Sequence, residues 1–385
     1  MEQNQYTESD FLTMTREEFV SFNLRKLYSS YGYSQYKMGK FEEYDLYIRN
    51  KNFLVSDNII TFTDHTGRLL ALKPDVTLSI VKSGRDVPGK ISRIYYNENV
   101  YRTSPGSRDF REITQVGLEC IGEIDTYLAC EVLTLAAESL RRAGRHISCF
   151  GSPDYLLEIS HLDIVAGMLD NLSVSEEIKA QLLTYIGEKN AHDVERVCRA
   201  SGVEEARMEA LRTLVTTDGT PDEVLPVLSD LSDRYENLRG AVSELSQTLS
   251  VLPAAVKDKI RIDFSLLSDM TYYNGIVFRG YIKGIPDSVL SGGRYDRLMR
   301  KMNRTSNALG FAVYLDRLAG YYTTYPKDSC FDTVLLYDDS TDLGELNEAM
   351  AAYTKTGERA MAVRALPEEF HAEQVIDMRG GKRDE

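Results

Sequence analysis

Apolar and polar positions alternate along several short stretches in the first third of the chain. These stretches are residues 59–64, 68–74, 91–102 and 113–122. Such alternation is typical of strands in an antiparallel sheet with one covered face. Residues 16–31 instead have helical spacing, with Thr15 as the predicted N-cap and Gly32 as the predicted stop. Residues 127–143, ended by Gly144, predict a second helix.

The pattern changes after Leu162, because residues 162–251 are rich in Leu, Glu, Ala and Asp. This composition, with short polar breaks, predicts a mainly helical insertion. A β-pattern returns at 260–282, and a glycine-rich turn is predicted at the SGGRYD segment, residues 291–296. A helix and the apolar segment LGFAVYLDRL at 309–318 follow.

The tail after residue 327 predicts a strand at FDTVLLYDD and a helix at ELNEAMAAYTKTG. Two short strand candidates follow, VRAL and EQVIDMRGG. Residues 325–327 predict a linker before it. We therefore predict an α+β protein with a core at 1–325 and a short C-terminal α/β segment at 328–385. The segment is small for an independently folding domain.

Composition and charge narrow the function classes. The 385 residues carry 45 Lys+Arg against 59 Asp+Glu, a formal net charge of −14, which disfavours nonspecific nucleic-acid binding. No apolar run approaches the ~18–20 residues of a membrane helix, and the N-terminus lacks the features of a secretory signal. The five cysteines are scattered, so we expect reduced thiols in a cytoplasmic protein and no metal site. They are Cys120, Cys130, Cys149, Cys198 and Cys330.

The segment 95–119 is the richest in candidate chemistry. Arg102 ends one predicted strand, and Gln115 and Glu119 point to the same side of the next. Such a hairpin can hold a zwitterion or a phosphate. The pattern equally allows the solvent face of an antiparallel strand.

Three further groups of residues are candidates. Asp75 and Thr77 in LKPDVT share a face and suit an ammonium group, although a surface turn is the alternative. Tyr272, Tyr273 and, in GGRYD, Tyr295 offer an aromatic wall; neither segment is a dinucleotide-binding or P-loop motif. The last candidate, Arg317, is either a phosphate clamp or a surface charge.

Taken together, the order LKPDVT, YRTSPGSRDFREITQVGLE, TYYNGIVF, GGRYD and LGFAVYLDRL resembles the catalytic core of the histidyl-tRNA synthetase family. The resemblance covers residues from about 10 to 320. It implies a class II synthetase fold, with a six-stranded antiparallel sheet flanked by helices and an insertion at 162–251. It also implies a dimer interface that includes residues 30–47.

The resemblance implies that an amino-acid pocket is kept. Asp75 and Thr77 match the positions that hold the amino group of histidine, and Gln115 and Glu119 match the QxGxE pair. The tyrosines that surround the imidazole match Tyr273 and Tyr295, with Tyr272 beside them.

The activation chemistry departs from the family. Ser268 stands where the family has an arginine at the α-phosphate, and Thr271 stands where it has an aspartate. Ser104 replaces the glutamate that helps to position ATP. The two other phosphate-facing arginines match Arg102 and Arg317. Loss of one such charge contact typically costs about 3 kcal/mol of transition-state stabilisation, so little adenylation is expected.

The tail points the same way, because the family ends in a longer anticodon-binding domain and this tail is short and acidic. In both departures the chain resembles the regulatory subunits of ATP phosphoribosyltransferase, which are synthetase paralogues. That resemblance implies a non-catalytic subunit without a cofactor, paired with a short catalytic subunit in a hetero-octamer built on dimers. It implies histidine as feedback inhibitor, bound here, at the subunit interface or on the partner.

Two other functions stay open from the sequence. One is a divergent histidyl-tRNA synthetase, and the other is a stand-alone synthetase-like amino-acid sensor.

Overall fold

The computed structural model forms two compact units, Val20–Tyr321 and Met1–Phe19 with Tyr322–Glu385. The residues that it describes are 14–51, 59–84, 86–87, 89–103, 109–145, 154–267, 270, 272–321, 330–355, 359–366 and 371–380. Within these ranges, no helix combines the length and apolar character needed to cross a membrane. The predicted linker at 325–327 lies outside them.

Twelve described strands precede residue 321. They are β1 (Ser34–Gln35), β2 (Phe41–Glu43), β3 (Thr61–Thr63), β4 (Leu69–Leu72), β5 (Ser92–Thr103), β6 (Phe110–Gly122), β7 (Tyr155–His161), β8 (Asp218–Gly219), β9 (Ile260–Asp263), β10 (Asn274–Ile282), β11 (Leu290–Arg294) and β12 (Asn307–Tyr314).

The helices of the same part of the chain flank these strands. They are α1 (Arg16–Ser30), α2 (Tyr44–Arg49), α3 (Thr77–Ser83), α4 (Thr126–Gly144), α5 (Leu162–Asp170), α6 (Glu176–Gly187), α7 (Ala191–Ala200), α8 (Glu205–Thr216), α9 (Pro221–Arg234), α10 (Arg239–Ser250), α11 (Ala254–Lys257), α12 (Asp296–Lys301) and α13 (Asp316–Ala319), with a 3-10 turn at Glu236–Leu238.

The main sheet has nine strands in the order β1-β5-β6-β12-β11-β10-β7-β9-β8. Its six central strands are β5, β6, β12, β11, β10 and β7, and each pairs antiparallel with its neighbours among these six. However, β1 pairs parallel with β5, and β9 pairs parallel with β7. The prediction of a plain six-stranded antiparallel sheet is therefore wrong, since the sheet is mixed and wider. The added strands have two to four residues, too few to show a clear alternation.

The long hairpin of β5 and β6 confirms the strands predicted at 91–102 and 113–122. The predicted strands at 59–64 and 68–74 form β3 and β4, but these join β2 in a separate three-stranded antiparallel sheet. The β-pattern predicted at 260–282 is confirmed, since this stretch contains the two strands β9 and β10.

The predicted glycine-rich turn at 291–296 is wrong, because most of this segment belongs to strand β11. A Cβ on Gly293 would lie 2.8 Å from the Tyr273 ring, and one on Gly292 would overlap the backbone of Gly310. The two glycines therefore permit close packing around a strand. Sequence alone does not separate this use of glycine from a turn.

Both predicted helices at the start of the chain are present. Thr15 and Glu18 form reciprocal hydrogen bonds at the start of α1, with distances of 3.2 and 2.7 Å. Gly32, with φ +82°, follows its end. At α4, the Asp125 side chain accepts from the Leu128 amide at 2.8 Å. Residues 162–251 fold mainly as helices α5 to α10, as their composition indicates.

The second unit contains a three-stranded parallel sheet with the order β14-β13-β15. Its elements are β13 (Cys330–Leu336), α14 (Leu343–Lys355), β14 (Ala360–Val363) and β15 (His371–Asp377). The strand predicted at VRAL lies three residues earlier, as β14. In the described part of the chain, three cysteines are buried free thiols, Cys120, Cys130 and Cys198; Cys149 lies outside it.

Candidate functional site

A cavity of about 590 Å³ lies over the middle of the main sheet, where β6, β10, β11 and β12 meet the start of α3. The structure brings all the predicted site residues to this cavity, although they are far apart in sequence. They are Asp75, Thr77, Arg102, Gln115, Glu119, Tyr272, Tyr273, Tyr295 and Arg317.

Glu119 is a buried carboxyl group in this cavity, with 2% of its surface exposed. Its Oε2 accepts a hydrogen bond from the Tyr295 hydroxyl at 2.8 Å, and its Oε1 accepts one from the Thr77 hydroxyl at 3.2 Å. Burial raises the pKa of Glu119 to about 8, although both hydrogen bonds lower it. A cation or a hydrogen-bond donor placed beside this group would stabilise its carboxylate form.

Gln115 lies on the same strand face and is also buried. The alternative of a solvent-facing strand is therefore wrong for both Gln115 and Glu119. Strand β6 places them toward the cavity because two residue steps return a side chain to the same face.

Glycine on the neighbouring strand leaves room for the Glu119 carboxylate. Gly310 of β12 pairs in register with Glu119, and a Cβ there would overlap the Glu119 side chain. Gly117, between Gln115 and Glu119, has a similar role, because its Cβ would lie 2.5 Å from the Tyr96 hydroxyl. The glycine of QVGLE is thus needed for the packing of Tyr96.

Asp75 is the second buried carboxyl group of the cavity, and the surface-turn alternative is wrong for it. The chain leaves β4 at Leu72 and enters α3 at Thr77, so Asp75 and Thr77 do not lie on one strand. Asp75 accepts from the Leu78 amide at 2.8 Å, in the first turn of α3. Burial raises the pKa of Asp75, opposed by Arg102, whose Nη2 lies 3.8 Å from its Oδ2.

Three tyrosines form one wall of the cavity, which we call the tyrosine wall: Tyr272, Tyr273 and Tyr295. The rings of Tyr272 and Tyr273 meet edge to face with centroids 4.5 Å apart, and Tyr295 lies 5.9 Å from Tyr272. Burial raises the pKa of all three hydroxyl groups well above the usual value. The hydroxyls therefore stay protonated, and the hydroxyl of Tyr295 donates its hydrogen to Glu119.

The two predicted phosphate-binding arginines are held by backbone oxygens. Arg102 Nε donates to the Pro74 carbonyl at 2.6 Å. The Arg317 guanidinium donates to the Ser288 carbonyl and stacks on the Tyr314 ring at 4.4 Å. These contacts orient both guanidinium groups at the cavity.

Sequence reasoning missed further polar residues that line the cavity, namely Tyr96, Arg279, Asp287, Ser288, Ser291 and Tyr314. Most of them lie on β5, β10, β11 and β12. Alternation predicts which residues share a face of a strand, but it does not predict which of the two faces lines the cavity. Tyr96 was within the segment already singled out, in register with Gly117. That pairing of a large and a very small residue was the available indication.

Three positions at which the sequence departs from the synthetase family, Ser104, Ser268 and Thr271, lie outside the described residues. Within the part of the chain that the structure describes, no group of three or more His, Cys, Asp or Glu side chains is arranged to hold a metal ion.

Comparison with known proteins shows which family the chain resembles. A family described as histidyl-tRNA synthetase matches residues 12–318. The chain is 29% identical to a Caldanaerobacter subterraneus protein named ATP phosphoribosyltransferase regulatory subunit, over 78% of this chain and 76% of that protein. It is 28% identical to the histidine–tRNA ligase of Methanocaldococcus jannaschii, over 80% and 73% of the two chains.

A solved structure from Bacillus halodurans, described as an ATP phosphoribosyltransferase regulatory subunit/histidyl-tRNA synthetase, has the same fold. Its TM-score is 0.77 at 22% identity, covering 99% of this chain and 97% of that one. Further bacterial relatives also carry the name ATP phosphoribosyltransferase regulatory subunit.

Proposed function

The chain belongs to the histidyl-tRNA synthetase family, and we propose that it is the non-catalytic regulatory subunit of an ATP phosphoribosyltransferase. In that role it is required for the first step of histidine biosynthesis. Phosphoribosyl transfer then takes place on a separate, short catalytic subunit in the cytoplasm. Similarity to regulatory subunits over most of the chain supports this assignment.

The observation that carries the ligand proposal is the cavity with two buried carboxyl groups and a tyrosine wall. Histidine has an ammonium group and an imidazole that match these features. We assign the ammonium group to Asp75, with Thr77 and Gln115 beside it, and the imidazole to Glu119 and the tyrosine wall. Arg102 and Arg317 then face the anionic part of a ligand.

Binding of the end product to this subunit gives a physical basis for feedback inhibition. Histidine can inhibit only by the difference between its affinities for the active and inactive forms of the complex. We therefore propose that the occupied cavity favours the inactive form of the catalytic subunit.

The test is co-purification with a short catalytic subunit from a bacterium that encodes both. We expect a stable complex. Without the partner, we expect the full chain to form a homodimer through its synthetase-like core, measured by light scattering at micromolar concentration. The family resemblance suggests a hetero-octamer in the complex. Failure of the two chains to associate, with both folded, would contradict the proposal.

A divergent histidyl-tRNA synthetase is the second candidate, favoured by the 28% identity to a histidine–tRNA ligase. Against it stand Ser268 and Ser104, at positions where the family resemblance implies an arginine and a glutamate. Histidine-dependent pyrophosphate–ATP exchange separates the candidates. We expect none above background, and exchange at synthetase-like rates would favour the second candidate.

We also propose the domain division indicated by the sequence, with a synthetase-like core at 1–325 and a C-terminal segment at 328–385.

A further inference from the structure

A polar network at the end of β11 connects the helical insertion to the core. Glu244, on α10, binds Arg294 Nη1 through Oε1 at 3.0 Å. Arg294 Nε in turn binds Asp296 Oδ2 at 2.7 Å. These three side chains form a continuous chain of charge-assisted hydrogen bonds, which are about twice as strong as neutral ones.

The network surrounds one residue of the tyrosine wall. Tyr295 stands between Arg294 and Asp296 in the sequence, and its hydroxyl donates to Glu119 at 2.8 Å. The Tyr295 amide donates to the Ala308 carbonyl at 2.9 Å, and Asp296 Oδ1 accepts from the Ala308 amide at 3.0 Å. The Tyr295 backbone and the Asp296 side chain are therefore both hydrogen-bonded to Ala308 of β12.

The same network reaches the other two tyrosines. Asn274, directly after Tyr272 and Tyr273, donates to Asp296 Oδ2 at 3.2 Å. Gly275 follows with φ +61°, and a Cβ there would lie 3.4 Å from Arg294 Cδ. Both sequence segments of the wall thus depend on the position of the Arg294 and Asp296 side chains.

Glu244 has a further neighbour in the core. His161, at the end of β7, is fully buried, and its Nε2 lies 3.6 Å from Glu244 Oε2. Neither ring nitrogen of His161 has a hydrogen-bond partner within normal distance. His161 and, to a smaller extent, Arg294 lower the pKa of Glu244 against the opposing effect of burial, so this carboxylate stays ionised between them.

We propose that Glu244 is a positioning residue for the tyrosine wall, acting through Arg294 and Asp296. The helical insertion and the cavity are thereby coupled. A shift of α10 changes the position of Tyr295, and a shift of Tyr295 changes the position of α10. The coupling itself does not require histidine. Only its expected effect on histidine binding rests on the proposed function.

The first test uses the ligand-free full chain. In Glu244→Ala, we expect amide hydrogen exchange over 290–300 and 272–278 to be at least several-fold faster than in the wild type. Glu209→Ala is the matched control, because Glu209 is on α8 of the same insertion and pairs only with Arg212 of its own helix, at 2.7 Å, among the described contacts. Wild-type exchange in both segments of Glu244→Ala would overturn the proposal.

If Glu244→Ala does not fold, Glu244→Leu replaces it, since Leu fills similar space and has no acceptor oxygen for Arg294. Faster exchange in the same two segments would again support the proposal, and unchanged exchange would overturn it.

The second test is histidine calorimetry on the same variants. We expect Glu244→Ala to weaken binding by roughly two- to thirtyfold, as for residues that affect a site without touching its ligand, and Glu209→Ala to bind like the wild type. Equal affinities in the wild type and Glu244→Ala would contradict the coupling. Absence of binding to the wild type would contradict the ligand proposal, while the exchange data would still decide the role of Glu244.

Discussion

Glu119 is a buried carboxyl group in the cavity, and each of its two oxygens accepts a hydrogen bond. Its partners, Thr77 and Tyr295, come from α3 and from the end of β11. A ligand that donates a hydrogen bond to Glu119 replaces a hydrogen bond to water that this group loses on burial.

Glu119→Gln keeps the size of the side chain and removes its charge. A charge-assisted hydrogen bond contributes about 1.5–3 kcal/mol, so we expect the proposed histidine affinity to fall about tenfold or more and the fold to be kept. Glu112→Gln is the matched control, because Glu112 lies on the same strand but is exposed and binds Asn99 and Tyr101. Calorimetry measures both, and equal affinity in the wild type and Glu119→Gln would place the inhibitor elsewhere.

Stability against pH gives an independent test. The pKa of Glu119 is about 8 in the folded chain, above the ordinary value of 4.5. Between these values the folded state binds the proton and the unfolded state releases it, so stability falls as pH rises. We expect urea unfolding to show the wild type losing stability relative to Glu119→Gln from pH 5 to 8. A constant difference between the two proteins over this range would argue against a buried, protonated Glu119.

At the scale of elements, the close pairing of β6 with β12 makes the cavity possible. The strands carry Glu119 and Gly310 at the same register position. Alternation in the sequence was enough to predict that Gln115 and Glu119 share a face. It could not predict that Gly310 lies opposite, because the pairing joins segments nearly two hundred residues apart.

Gly310→Ala tests this pairing. The new Cβ overlaps the Glu119 carboxylate, so either the side chain or the strand must move. We expect a loss of about 1–3 kcal/mol in the free energy of unfolding and strongly reduced histidine binding. Gly320→Ala is the control, since no atom lies within 4 Å of a Cβ there. If Gly310→Ala binds histidine like the wild type, either the close approach of Gly310 to Glu119 or the proposed place of histidine beside Glu119 is contradicted.

Contacts between segments far apart in the chain also explain why some elements were predicted wrongly. The SGGRYD segment has the composition of a turn, but its glycines serve contacts made across the sheet. The strands β1, β8 and β9 are added to the sheet by tertiary pairing of short segments. In contrast, α1 and α4 were predicted closely because their caps and apolar spacing are local in sequence.

For the whole molecule, the sequence placed candidate residues in one cavity only through a family resemblance. Composition and periodicity did not join Asp75 to Tyr295, since they are over two hundred residues apart. The residues that were missed, such as Arg279 and Tyr96, lie on predicted strands but outside the motifs that carry the family resemblance. Physical pattern therefore predicted the elements, and the resemblance predicted which residues meet.

The central claim is that this chain makes another subunit an active and histidine-sensitive phosphoribosyltransferase. The most direct measurement is the rate of phosphoribosyl transfer from phosphoribosyl pyrophosphate to ATP by the short catalytic subunit, with and without this chain, and with added histidine. We predict that the chain raises the rate, that histidine lowers it again, and that Glu119→Gln raises the histidine concentration needed about tenfold. A rate that is the same with and without the chain, in a mixture where the two subunits associate, would contradict the account.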